Sequence, residues 1–485
     1  MSILEMTADV SIEGVKKFGL VTGYFFSINI VVGAGFLALP YSFSTSGWLI
    51  SLIFMIFMAL QNYYLGMQLL EIMSRAEIIS RMREEGIKVD RPTWKQIILG
   101  ISPQETLIAN SPNYRPTISN RRFDISECVR ILFGSKWSRF YILMLIPYLQ
   151  GAQAGYATVF ASSFASNVPL GSLGKCNIYD HSSYSDSCYA NYWIYLMIYC
   201  LFMTYLTIRG LREQKWIQSS LTIMRFCIIS LVVFASIGLL AAEKQVDDDD
   251  HESFKMPPLA TMSKLGNMAS VILFTFLFQV QFPSISEFMK CRSRNLKKII
   301  VLVTVTSFVL YALIGMIVPI AIHDVEGECT LSFREYSAGA SQSDREWWTY
   351  LIAYMIVLFP AIDVFSSFPL MGLPLSDNLM TLYYGVDSKN IPNNAHYYFR
   401  AACLFFPFFI AFFIYDISLI YNWVGLFGFI LQPIAIPIMH IAVRLMNDTP
   451  SNYDAPFPSK YLSLAIAGLN TVIMLFILIS SIIGN

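Results

Sequence analysis

Apolar runs of about twenty residues, repeated along the whole chain, constrain this sequence more than any other feature. A helix of that length crosses about 30 Å of hydrocarbon. The runs fall near 20–43, 46–70, 139–165, 191–209, 216–241, 264–286, 297–321, 347–374, 397–414, 416–443 and 461–483. Charge is correspondingly scarce, at 14% of the 485 residues, where a soluble domain carries about 25%. The expectation is an all-α polytopic membrane protein with about 11 transmembrane helices.

Orientation is read from Lys and Arg in the loops. Basic residues gather before the first run (Lys16, Lys17), throughout 71–138, around Arg209–Lys215 and along Lys290–Lys298, whereas Val246–Ser253 and Asp324–Glu328 are acidic. The N-terminus, which has no cleavable signal pattern, is expected in the cytosol and the C-terminus outside. Cys176 and Cys188 share an outside loop and are expected to form a disulfide, with Cys329 as an alternative partner.

Two of the runs are damaged near their middles. Ser27–Gly47 carries Asn29, Gly33-Ala34-Gly35 and Pro40, and Phe274–Phe288 carries Gln279, Gln281 and Pro283. Either run alone is compatible with close helix packing, or with a proline kink and amides bonded to neighbours. Together they are the first and sixth runs, five apart, as two inverted five-helix repeats with broken helices meeting at mid-membrane require. Bare backbone survives there only inside protein or beside a wet cavity. Half-helix ends then supply N–H groups for an anionic group and carbonyls for a cation.

The chain accordingly divides into a cytosolic N-terminus (1–19), a first repeat (20–241, with cytosolic loop 71–138) and an extracytosolic acidic loop (242–263). A second repeat (264–443), a cytosolic loop (444–460) and an eleventh helix with the C-terminus (461–485) complete it. Within 71–138, Ser74–Asp90 reads as a charged helical start, Phe123–Gly134 as an amphipathic approach to the third helix, and the Pro- and Asn-rich part as a linker of partial order.

A third anomaly is Asp363, a carboxylate deep in the eighth run and ~24 Å along its helix. Ionised at that depth it costs at least ~3 kcal/mol, so it needs a partner, water or a proton. Ser366 and Ser367 follow at i+3 and i+4 on the same face, making an oxygen-rich patch suited to a hard cation or a shared proton. Asp363→Asn is expected to spare folding. Glu71 and the five histidines, His440 among them, lie near helix ends or in loops, where exposure is the ordinary state.

Chemistry beyond binding finds no footing. The sequence has no Gly-rich phosphate loop, no GxSxG elbow and no His/Cys/Asp cluster at ligand spacing. The chain is not expected to be an enzyme or a primary pump, and its net charge of zero suggests no nucleic-acid partner.

GAGFLALPYSFSTSGW (Gly33–Trp48) resembles the first-helix signature of the amino acid/auxin permease family. The sixth-helix stretch around FTFLFQVQFPSISEF and the eighth-helix FPAIDVFSSFPLMGLPLSDNL are similar to a branch described as sodium-coupled neutral amino-acid transporters. The resemblance implies a leucine-transporter-like fold of 5+5 inverted repeats plus one helix, with helices 1 and 6 broken and a small amino acid bound between them. It implies that Gly33, Ala34 and Gly35 offer N–H groups to the substrate carboxylate, and that carbonyls of Phe278, Gln279, Val280 and Gln281 take its amino group. It also places Asn29, Val32, Asp363, Ser366 and Ser367 at a sodium site. Asp363 departs from the neutral residue usual there, which opens proton coupling beside Na+. The expected function is cation-coupled symport of neutral amino acids across the plasma or an endolysosomal membrane. The alternative is an amino-acid sensor or scaffold that keeps the fold.

Overall fold

The computed structural model describes residues 19–102, 115–119, 123–170, 178, 186–209, 215–246, 257–287, 289–340, 345–384, 392 and 394–483. Helices stand at every one of the eleven apolar runs. In chain order they are α1 (Leu20–Val31), a 3₁₀ turn (Ala34–Ala38) and α2 (Leu39–Ser46), then α3 (Trp48–Glu84), the short α4 (Trp94–Leu99) and α5 (Ile125–Phe133). There follow α6 (Ser135–Asn167), α7 (Asp186–Arg209), α8 (Lys215–Val246), α9 (Leu265–Phe276), α10 (Phe282–Glu287) and α11 (Arg292–Ala321). The chain ends with α12 (Trp347–Tyr384), α13 (Ala395–Phe413), α14 (Ile417–Phe429), a π turn (Ile430–Ile434), α15 (Ala435–Met446) and α16 (Lys460–Ile483).

Among the described residues, seven helices are long and apolar enough to cross a membrane, and eight if the bent pair α1 and α2 counts as one span. Eleven was the number expected, and the shortfall has physical causes. α9 is cut short by the break after Phe276. α6 packs on α5, α7, α12, α13 and α14, and surrounded in this way it carries buried Gln150, Gln153, Ser162 and Ser163 in place of apolar residues. α7 is dense in tyrosine, with Tyr192, Tyr195 and Tyr199 turned inward.

Two helices overrun their expected ends. α12 continues past 374 to Tyr384, through Pro360, Pro369 and Pro374, with Leu375, Ser376, Asn378 and Met380 buried and the last turn exposed. Asn378 Nδ2 also donates to Pro374 O at 2.8 Å. α3 continues past 70 to Glu84 because its last turns are buried, from Ser74 to Ile79. The charged helical start expected from Ser74 is present and is continuous with α3 as far as Glu84. Phe123–Gly134 contains α5, which buries Ile125, Cys128, Val129, Ile131 and Leu132.

Candidate solute site

The two damaged runs are broken where the glycines and glutamines stand. α1 stops at Val31, Gly33 is extended at φ −80°, ψ −162°, and the chain resumes as a 3₁₀ turn before α2. The two halves are bent by 42°. In the sixth run α9 ends at Phe276, Leu277 is extended at φ −75°, ψ 116°, and helix resumes at Phe282. A Cβ on Gly35 would stand 3.1 Å from Thr275 Cγ2 and 3.2 Å from the Phe274 ring, so the breaks are in contact. A Cβ on Gly33 would lie 2.8 Å from the Tyr156 hydroxyl, close enough that the ring would have to move.

The carbonyls freed at the end of α1 are taken by side chains from three other helices. Tyr311 Oη, on α11, lies 2.7 Å from Val31 O and 3.0 Å from Thr275 O, tying the two breaks together. Ser367 Oγ donates to Asn29 O at 3.4 Å. Arg225 Nη1 donates to Asn29 O at 3.1 Å and to Asn29 Oδ1 at 3.0 Å. Thr222 Oγ1 donates to the same Oδ1 at 2.9 Å.

The sixth-run amides are engaged too. Gln279 Oε1 accepts from Phe278 N–H at 3.1 Å, and its Nε2 donates to Asn62 Oδ1 on α3 at 2.5 Å. Gln281 Nε2 reaches Met371 Sδ on α12 at 2.7 Å, while its buried Oε1 has no partner. The Phe278 and Gln279 carbonyls accept from Gln281 N and Phe282 N at 3.1 and 3.2 Å within the tight turn. Val280 is buried beside them. The N–H groups opening the Ala34–Ala38 turn belong to a helical start and have no intrahelical acceptor.

Asp363 finds its partner in Arg225, a residue that sequence reasoning passed over. Arg225 Nε and Nη2 both donate to Asp363 Oδ1, at 2.9 and 2.5 Å, and both side chains are 2% exposed. Arg225 lies on the buried stripe of α8 with Leu221, Thr222, Ile228, Ile229 and Val232. A lone arginine ten residues into an apolar run was a signal as strong as Asp363 itself. Of the residues expected around a sodium ion, Asn29, Asp363 and Ser367 converge here and Val32 lies buried at the break. The side chains of Ala34 and Ser366 lie outside the described residues, as does Cys176. Cys329, the alternative partner for Cys188, is a free thiol.

The oxygens of Asn29 and Asp363 are of the type that holds sodium, but the guanidinium already takes them. The Arg225–Asp363 pair is neutral, so a sodium ion placed beside it would be an uncompensated buried charge. As they stand, these residues do not fit a sodium ion.

Two further buried polar clusters were not foreseen. Glu71, expected at an exposed helix end, is fully buried. Its carboxylate takes Arg75 Nε at 2.8 Å, Arg444 Nε at 2.6 Å, His440 Nε2 at 3.0 Å and Ala455 N–H at 2.8 Å. The Glu71–Arg75 pair is i,i+4 on α3, which is a pattern readable in sequence. The second cluster is Glu328, in the segment between α11 and α12. It accepts from Ser162 Oγ at 2.7 Å and Ser163 Oγ at 2.8 Å on α6, while Cys329 N–H donates to Leu37 O at 3.0 Å. That segment is thereby pinned on the broken first run.

Comparison with known proteins identifies the family. The family model described as transmembrane amino acid transporter protein matches residues 16–483. The chain is 24% identical to transmembrane protein 104 of Homo sapiens over 407 residues, covering 78% of each chain. It is 23% identical to that of Gallus gallus, covering 75% of this chain and 74% of the relative. A transmembrane protein 104 homolog of Dictyostelium discoideum is 22% identical over 94% of this chain and 95% of its own.

Proposed function

The chain belongs to the transmembrane amino acid transporter family, and from that premise we propose that it is a secondary active transporter of neutral amino acids. In this reading it works by alternating access, in symport with a monovalent cation. The observation that carries it is the junction of the two breaks, where Tyr311 Oη lies between Val31 O and Thr275 O. At that junction the N–H groups at Gly33, Ala34 and Gly35 supply the donors that a substrate carboxylate takes. Three of the Phe278–Gln281 carbonyls accept within the turn, and each keeps a second lone pair for an ammonium. The unpartnered Gln281 Oε1 is a further acceptor aimed into buried space. Solute charge is then balanced within the substrate itself, which is why a zwitterion with a neutral side chain suits the site.

The same proposal takes all eleven helices as crossings, in two inverted repeats of five plus one, with the basic ends of the bundle in the cytosol. It puts Glu328 and the Cys176–Cys188 disulfide on the outside. The test is uptake of radiolabelled neutral amino acids into proteoliposomes carrying the purified protein. Accumulation that depends on an imposed ion gradient is the expected result. Absence of uptake across a full amino-acid panel, at either imposed gradient, would reject transport.

One observation favours the sensor reading as an alternative. Residues 115–119 lie against α3, the start of α11 and the segment between α15 and α16. Ser119 N–H donates to Glu77 Oε2 at 2.8 Å, Arg292 Nη1 to Ile118 O at 3.4 Å and Ser451 Oγ to Pro116 O at 3.3 Å. A segment held this way is placed to report movement of α3 and α11 relative to the loop at Ser451. A protein that is thermally stabilised by an amino acid yet takes none up would be that sensor.

A further inference from the structure

The cation expected between the first and eighth runs is already part of the chain. Asn29 O, Asn29 Oδ1 and Asp363 Oδ1 come from two helices and converge on one point, and the group at that point is the Arg225 guanidinium from a third helix. Guanidinium is planar, permanently charged and carries five donors, so it answers several oxygens at once where a small ion would be coordinated. Its Nη1 serves α1, its Nε and Nη2 serve α12, and Ile28 O lies a further 3.5 Å from Nη1. Thr222, one turn before Arg225 on α8, adds its own bond to Asn29. The pair leaves no net charge for a second cation to neutralise.

We infer that Arg225 is a tethered replacement for the coupling sodium ion, holding α1, α8 and α12 together as a bound ion would, so that the protein works without sodium. This inference rests on the transporter reading of the site for its place in a cycle, though not for its sodium chemistry. Removing the guanidinium while leaving Asp363 converts the same oxygens into a sodium site.

The experiment follows sodium by a readout that does not need transport. Thermal unfolding of the full-length protein in detergent is measured in sodium chloride against choline chloride at equal ionic strength and pH. The wild type is expected to show no difference. Arg225→Gln is expected to be less stable in choline and to gain a saturable upward shift specific to sodium. Arg225→Lys, which keeps a tethered charge, should remain indifferent, and Arg225→Gln with Asp363→Asn should lose the sodium response. Where Arg225→Gln does not fold, the wild type and Arg225→Lys decide the matter alone. Saturable, sodium-specific stabilisation of the wild type overturns the inference, as does an Arg225→Gln protein that folds and ignores sodium. Uptake in proteoliposomes is a separate arm. Sodium indifference with no amino-acid uptake would leave this inference standing and reject the transport reading, whereas sodium-stimulated wild-type uptake would do the reverse.

Discussion

Arg225 on α8 and Asp363 on α12 meet through two donors on a single carboxylate oxygen, Nε at 2.9 Å and Nη2 at 2.5 Å, in surroundings closed to solvent. The sequence by itself presents Asp363 as one costly charge in need of a cation. The structure presents a neutral pair, and that changes what each substitution should do.

Asp363→Asn keeps the shape but strands the guanidinium. Sequence reasoning alone expects this change to be mild, whereas the pair makes it severe. Removing one partner of a buried ion pair costs about 3–5 kcal/mol, while replacing both with apolar residues of similar volume is often close to neutral. Thermal unfolding should therefore rank Asp363→Asn well below Arg225→Met with Asp363→Leu. Equal stability of the two would show that the guanidinium is well satisfied without the carboxylate.

Gly35→Leu should abolish substrate-dependent stabilisation while the protein still folds. Even a Cβ at this position would stand 3.1 Å from Thr275 Cγ2, and a leucine must also occupy the space between the two breaks. Gly33→Ala should lower the response as well, since its methyl would meet the hydroxyl of the buried Tyr156 at 2.8 Å and displace the ring. Full substrate response in Gly35→Leu would move the solute away from this junction.

Glu71→Gln should lower stability by an amount comparable to breaking other buried pairs, about 3–5 kcal/mol. The change leaves Arg75, which is fully buried, without its carboxylate. Asp454, which accepts from Arg75 Nη2 at 2.7 Å, is a partly exposed second acceptor that softens the loss. Thermal melts of Glu71→Gln beside Asp454→Asn should show the first as the larger defect.

Glu328 carries the pH dependence. Burial pushes its carboxyl up to about 7 from an ordinary 4.5, opposed by the hydroxyls of Ser162 and Ser163 and aided by the neighbouring Glu326. A carboxyl whose pKa is raised in the folded state holds its proton more tightly there than in the opened segment. The resulting stability is complete below pH ~4.5 and disappears as pH rises through ~7, at up to about 1.4 kcal/mol per unit. Hydrogen exchange of residues 322–340 should thus show stronger protection at pH 5.5 than at pH 8 after correction for intrinsic rates. Glu328→Gln should flatten that difference, and an unchanged pH profile in the variant would assign it to another group.

Mass spectrometry of the non-reduced protein should find Cys176 joined to Cys188. The free thiol of Cys329 already removes one competing pairing. Both cysteines alkylated without reduction would contradict the disulfide.

The sequence alone determined the helices and where two of them break, because both depend on local chemistry. Hydrocarbon length sets the runs, and Gly33, Gly35, Gln279 and Pro283 weaken them wherever the rest of the chain goes. It also marked Asp363 as a charge that could not stand alone. Only the tertiary structure decided what answers that charge. Arg225 is 138 positions away in the chain, and nothing local distinguishes a guanidinium turned toward Asp363 from one paired elsewhere. The same holds for Glu71, which solvent or Arg75 could satisfy equally well until α15 brings His440 and Arg444 against it. Pairing across helices is a matter of which faces meet, and that is set by packing summed over the whole bundle.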